Sequence, residues 1–383
     1  MAPCGPQVRS LDAQVKQAEG ARERRPLVGA RGIEPLTPTV SRWCSPAELR
    51  ALGASVYREA SPQASEALAR KVLRHGDRRP EAVLSSRAMD LPVRPDTSNA
   101  VETAAYAVLM PEPQRAPLVF ASPHSGRRYP PQFLAAARLD AHALRRSEDS
   151  FVEELFESAP RHGCPLIHAL FPRVWCDPNR EPWELDPEMF DSELPAWVNA
   201  ASPRVGAGLG TIARIVATGE PIYRRKLSFA EAEERIATCW RPYHEALAGL
   251  IAATRERFGL CLLIDCHSMP TLTAQGPLRP PEIILGDAHG TSASPSAVRR
   301  LEEAFLEAGF SVRRNDPYAG GYVTRHYGRP HHGVHAVQIE IARTLYMDEE
   351  RIVRHGGFDA LRDRLERVIA TLATADWAML ERG

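Results

Sequence analysis

The sequence predicts an α/β fold, a three-layer sandwich built on a mixed, mostly parallel sheet. Three observations lead there. Short apolar runs of strand length recur along the chain, such as LVFAS at 118–122 and LCLLIDC at 260–266. Longer stretches between them space their apolar residues as a helix does. The two kinds alternate, as parallel strands joined by crossover helices require.

In chain order, Pro117–Ser122 reads as a buried strand. Leu139–Ala159 reads as a helix with Leu144, Val152, Leu155 and Phe156 on one face. Pro165–Leu170 is a second strand. Residues 172–201 are polar and rich in proline, and read as a long loop of the kind that often carries function. Phe229–Phe258 has helical periodicity with a break expected near Pro242. Leu260–Cys266 is the strongest strand, followed by another at Glu282–Leu285, a helix at Ala297–Ala308 and a strand at Phe310–Arg313. Val334–Ile341 is rich in β-formers, and a helix is expected from about Asp348 to Ala373.

The 383 residues carry 48 basic and 48 acidic side chains, 44% apolar residues and 25% charged ones, which excludes wholesale disorder. Only three of the basic residues are lysine (Lys16, Lys71, Lys226), and the arginines are scattered and balanced by acid. That distribution is not a nucleic-acid footprint. No apolar stretch is long enough to span a membrane. The N-terminal MAPCGPQVRS lacks an apolar signal core. Seven cysteines without a CxxC pair read as reduced thiols in a cytoplasmic protein. Charge is uneven along the chain. Residues 1–88 hold 15 basic against 9 acidic residues and are rich in Pro, Gly, Arg and Ser. They read as an extension to a single domain at 89–383. The extension is either disordered with one helix near Pro62–His75, or the product of a start placed upstream of Met89. Neither GxGxxG nor GxxxxGK[ST] occurs, so a nucleotide cofactor has no support.

Four polar clusters fall at strand ends, where open α/β sheets bind ligands. His124 lies in SPHSG directly after the first strand, between turn-forming residues. Ser147-Glu148-Asp149 stands at a helix start, where capping alone would account for it. Asp265-Cys266-His267-Ser268 closes the strongest strand; an aspartate in so apolar a run needs a partner, an imidazole or an arginine. Glu340 sits in the apolar VQIEIAR run, where it is either ion-paired with Arg343 or kept for proton transfer. Two imidazoles and a carboxylate form a common hydrolytic zinc site with an open fourth position. His124, Asp149, His267 and Glu340 supply the side chains for one such site, one Zn2+ per chain, with a further carboxylate left to move the proton.

The blocks SPHSG, RRSED, CDPNR, DCHSMP, GGYVTRHYG and HAVQIEIARTLYMDE occur in this order between about Leu118 and Leu372. Together they resemble the N-formylglutamate amidohydrolase family, which is similar to zinc carboxypeptidases and aminoacylases and has a phosphorylase/hydrolase-like α/β fold. The resemblance implies a single amidohydrolase domain whose partner is a small N-acyl amino acid. The reaction would be N-formylglutamate and water giving formate and glutamate, a step of histidine degradation. His124 and His267 would be zinc ligands and Asp149 the third, with Glu148 as its rival. The His-x-x-Glu spacing of carboxypeptidases is absent here. Glu340 would be the general base and His326 an oxyanion stabiliser. Asn179 and Arg180 resemble the pair that grips a substrate carboxylate, with Arg325 and Arg343 as further candidates for a second one.

Other classes stay in view. A zinc carboxypeptidase or other deacylase differs only in substrate. A thiol hydrolase would use Cys266 with His267, but neighbours on a strand point to opposite faces. A serine mechanism at Ser125 or Ser268 lacks a GxSxG elbow. A binding module would keep the arginines without needing Glu340.

Overall fold

The computed structural model describes residues 104–272 and 280–377. The extension expected at 1–88, with its helix near Pro62–His75 and the alternative start at Met89, lies outside the described residues. Seven strands form the main sheet: β1 (Tyr106–Leu109), β2 (Leu118–Ser122), β3 (Leu166–Ala169), β4 (Cys261–Met269), β5 (Ile283–Gly286), β6 (Val312–Arg314) and β7 (Val334–Ala342). Their order is β1-β3-β2-β4-β7-β5-β6. The four central strands β3, β2, β4 and β7 run parallel, while β1 and the β5–β6 pair run antiparallel to them. The expected mixed, mostly parallel sheet is what the chain forms.

Helices cover both faces, giving three layers. Short helices α1 (Pro131–Ala136), α2 (Ala141–Arg145) and α3 (Val152–Leu155) lie between β2 and β3, and α4 (Pro203–Gly206) lies in the long connection after β3. The larger helices are α5 (Phe229–Arg235), α6 (Arg241–Phe258), α7 (Pro295–Glu307) and α9 (Phe358–Thr374), with the short α8 (Tyr322–Tyr327) between β6 and β7. On one face Leu118, Phe120, Leu262, Ile264, Ile339 and Ile341 pack against α3, α7 and α9. On the other, Val119, Ala121, Cys261, Leu263 and Ala336 pack against Tyr243, Leu247 and Ile251 of α6. Each buried Val, Leu, Ile or Phe side chain of these layers contributes roughly 1.5–3 kcal/mol.

Several departures from the sequence reading have local causes. The helix expected over Leu139–Ala159 is broken, because Phe151 adopts a left-handed φ of 68° and the Asp149 N–H bonds the His124 carbonyl at 3.1 Å. The break expected near Pro242 is instead a wide π turn at Ile236–Trp240, which keeps the chain helical up to a proline that has no N–H to donate. β4 continues to Met269, past the polar residues that seemed to end it, since β7 pairs with it residue by residue to Ala342. The last helix begins only at Phe358. Before it, the Asp348 carboxylate accepts the Glu350 and Arg351 N–H groups and turns the chain into the Met347–Asp348/Val353–Arg354 hairpin. No helix among the described residues is long and apolar enough to cross a membrane.

Candidate active site

All four parallel strands deliver polar side chains at their carboxyl ends. β2 leads to His124, and β3 leads to Arg173, Asp177, Asn179 and Arg180. β4 carries Asp265 and His267, and β7 carries Gln338 and Glu340 and leads to Arg343. On β4 and β7 the face that is apolar at Cys261, Leu263 and Ala336 turns polar at Asp265, His267, Gln338 and Glu340. The β4–β7 register sets His267 beside Glu340. The polar half opens into a pocket of about 420 Å³, a size suited to a small ligand.

Within it, Asp149 lies between two imidazoles. Its Oδ2 is 2.9 Å from His267 Nδ1 and 3.4 Å from His124 Nδ1. Each ring meets a second carboxylate on its other nitrogen. His124 Nε2 is 2.7 Å from Asp177 Oδ1, and His267 Nε2 is 3.1 Å from Asp265 Oδ2. The second contact is close but off the line of a hydrogen bond, and both Asp265 oxygens are buried without such a bond. Asp177 is itself anchored by the Asn179 N–H at 2.8 Å and by Arg173 at 2.9 Å. Arg343 donates to Asp149 Oδ1 at 3.0 Å, to the Glu148 carbonyl at 2.7 Å and to Ser268 Oγ at 3.1 Å. The Glu148 carboxylate turns away, accepting from the Tyr129 hydroxyl, Ser150 Oγ and Arg145.

Burial sets the charges. It lowers the pKa of His124, helped by the Arg173 charge and only partly offset by Asp177 and Asp149. For Asp149 burial works the other way, but the two imidazoles outweigh it and hold the carboxyl well below its usual range. Burial likewise opposes charge on His267, yet Asp265 and Asp149 overcome it and raise the imidazolium pKa. Glu340 is pushed up to about 7, chiefly by burial. Gln338 donates to its Oε1 at 2.7 Å.

The nitrogen and oxygen donors of His124, Asp149 and His267 lie within 4.8 Å of one another and could hold a metal ion. Two further features fit a cation. His124 Nδ1 is buried with no hydrogen-bond partner, and each ring carries a carboxylate behind it, the usual support for a metal-bound histidine.

Asn179 and Arg180 both line the pocket. Asn179 Nδ2 is 3.3 Å from His267 Nε2, and its Oδ1 accepts the Val323 N–H at 2.8 Å. A Cβ on Gly321 would sit 2.2 Å from the Asn179 side chain, so only glycine permits that approach. Arg180 is clamped by the Leu209 and Asn179 carbonyls, both at 2.8 Å. Arg343 lines the pocket too, though its donors go to Asp149 and its neighbours. Arg325 and His326 are exposed on α8 and do not line the pocket. Arg325 bonds the Gly320 carbonyl at 2.7 Å, and His326 stacks on Tyr322. The oxyanion role expected of His326 therefore has no geometric basis. Sequence reading gave no role to Arg173, Asp177 or Arg204. The Asp in CDPNR, two residues before Asn179, was a usable signal for Asp177; nothing comparable marks Arg204. Cys266 faces the opposite side of β4, within the apolar layer, and burial raises its thiol pKa well above the usual value.

The class this geometry defines is an α/β protein with a carboxylate-backed His-Asp-His cluster able to hold a metal, set in a small-molecule pocket. A family model described as N-formylglutamate amidohydrolase matches residues 116–347, and the chain belongs to that family. It is 33% identical to the N-formylglutamate deformylase of Pseudomonas aeruginosa over 243 residues, 62% of this chain and 84% of that one. The deformylase of Pseudomonas putida is 32% identical over 241 residues, 61% and 83% of the two chains. The crystal structure of N-formylglutamate amidohydrolase from Ralstonia eutropha JMP134 superposes with a TM-score of 0.67 at 38% identity, covering 70% of this chain and 97% of that one.

Proposed function

We propose that this protein is a zinc-dependent deformylase that hydrolyses N-formyl-L-glutamate to formate and L-glutamate. The observation that carries the reading is Asp149 set between His124 Nδ1 and His267 Nδ1, with Glu340 alongside on β7. His124, Asp149 and His267 would hold the cation, and nitrogen–oxygen donors of this kind suit zinc. When bound, the ion supplies a Lewis acid that polarises the formyl carbonyl and makes water more acidic.

The residues of the chain do the rest. Asp177 fixes the His124 ring and its tautomer, and Asp265 sets a negative charge beside the His267 ring. Arg343 holds Asp149 in place through its 3.0 Å bond to Oδ1. Glu340 accepts the proton of the attacking water and passes it to the departing amine nitrogen; a carboxyl near 7 is suited to both halves of that transfer. Arg173 lines the pocket and its charge is felt at Asp149 and Glu340. It takes the role of holding the developing oxyanion. Asn179 and Arg180 hold the substrate α-carboxylate. Residues 89–383 form the catalytic domain, and the buried free thiols at Cys164, Cys176, Cys239, Cys261 and Cys266 suit a cytoplasmic enzyme.

The test is metal content and formate release from N-formyl-L-glutamate, with His267→Ala beside the unaltered chain. About one zinc per chain with formate release, both lost in the variant, is the expected result. Zinc without formate release would reject the substrate, and turnover that persists without bound metal would reject the mechanism.

A further inference from the structure

Among the described residues, every pocket-lining arginine except one is engaged. Arg173 is paired with Asp177, Arg180 is clamped by two carbonyls, and Arg343 is bound to Asp149. Arg204, on α4, lines the same pocket and is half-buried. Among the described residues its guanidinium makes no ion pair or hydrogen bond. The segment that presents it is nonetheless fixed. Ser202 caps α4 by accepting the Val205 N–H at 3.1 Å, and its hydroxyl bonds Glu184. The Leu209 carbonyl a turn later accepts Arg180 Nε at 2.8 Å. A Cβ on Gly210 would sit 2.2 Å from the Glu184 carbonyl, so the strap lies flat against the chain beneath it.

Arg204 also sits close enough to Arg180 and Arg325 for each to feel its repulsion, which Asp177 and, more weakly, Glu184 offset at Arg180 and Glu184 offsets at Arg325. Of the two guanidiniums that line this side of the pocket, Arg180 has Asp177 3.8 Å away, while Arg204 has no paired acid among the described residues. An arrangement of that kind is relieved by an incoming anion. A fork of free N–H donors suits a carboxylate in particular.

We propose that Arg204 sets the specificity of the site by binding the side-chain carboxylate of an N-acyl dicarboxylic amino acid. This rests on the deformylase reading above and names its substrate class. The assignment of the two carboxylates follows from depth. Arg180 is buried and lies 3.8 Å from Asp177, the carboxylate bonded to His124, so it stands on the cluster side of the pocket. The α-carboxylate, one carbon from the amide nitrogen, belongs there. The side-chain carboxylate reaches further out, toward Arg204, the less buried of the two arginines.

The experiment compares the full chain with Arg204→Gln on N-formyl-L-glutamate and on its neutral isostere N-formyl-L-glutamine. Calorimetric binding of L-glutamate and L-glutamine, and a thermal unfolding check, run alongside. The expected result is a fall in kcat/KM for N-formyl-L-glutamate of roughly 10- to 100-fold. The rate on N-formyl-L-glutamine should move less than about threefold, and the preference for binding L-glutamate over L-glutamine should vanish. Equal losses on both substrates, or none on either, overturn the proposal. If the unaltered protein hydrolyses neither compound yet prefers L-glutamate through Arg204, the deformylase reading fails and the Arg204 assignment stands. Without turnover and without that preference, both fail.

Discussion

Replacing Glu340 with glutamine separates the chemistry of the site from its cost in stability. The amide is isosteric, and its oxygen can still accept the Gln338 donor that lies 2.7 Å away. The fold has no reason to change. Catalysis does, because an amide cannot take a proton from water. Positioned general bases contribute typically 10²–10⁴-fold, about 3–5 kcal/mol of barrier. Stability moves the other way. Holding a carboxylate whose pKa rises from 4.5 to about 7 on burial costs the ionised folded state about 3 kcal/mol. The sign follows from proton binding. Between those two values the folded protein binds more protons than the unfolded one, so stability falls as pH rises, and the full penalty stands above pH about 7. Metal-free Glu340→Gln is thus expected to be about 3 kcal/mol more stable than the parent at pH 8 and no more stable at pH 4. Formate release in the metal-loaded proteins and urea unfolding of the metal-free proteins at both pH values measure the two effects. Activity within about fivefold of the parent would remove Glu340 from proton transfer. Equal stability at pH 8 would show that burial does not raise the pKa of its carboxyl.

Three other substitutions test the surrounding geometry. Asp177→Asn weakens the support of His124 and is expected to lower metal affinity about 10- to 100-fold, measured by competition with a chelator. Gly321→Ala drives a methyl into Asn179 and is expected to reduce kcat/KM at least about tenfold with metal content unchanged, since a misplaced binding group is costly even at constant chemistry. Cys266→Ala is expected to keep its formate-release activity, because the thiol faces the apolar layer; loss of activity with the fold intact would revive a thiol mechanism.

Much of this was legible in sequence because strands and chemistry share a register. His124, His267 and Glu340 stand at the ends of apolar runs, and such runs mark the central strands. Asp149 was visible only as a helix start, where capping explains an acid equally well. What decides its role is the backbone bond from its N–H to His124, a contact between residues 25 apart. β1 escaped notice because it is a half-exposed edge strand without a clean apolar run. α8 was missed because its six residues are too few for a helical period. His326 looked suitable by type and neighbourhood, but the pitch of α8 turns it outward onto Tyr322. Arg204 carries no local signal, since its availability is defined by what its neighbours are already bonded to.

β4 is buried along all nine residues. It has no solvent-facing side on which to keep function apart from structure. Asp265 and His267 hang from the ladder that joins β2, β4 and β7, and that ladder is the centre of the sheet. Segments of this kind open only when the whole domain does. Amide protons from Ile264 to Ser268 should therefore exchange at the rate of global unfolding, while those of the strap around Arg204 exchange sooner. His267 then sits on the part of the molecule that opens last, and Arg204 on a connection outside the sheet.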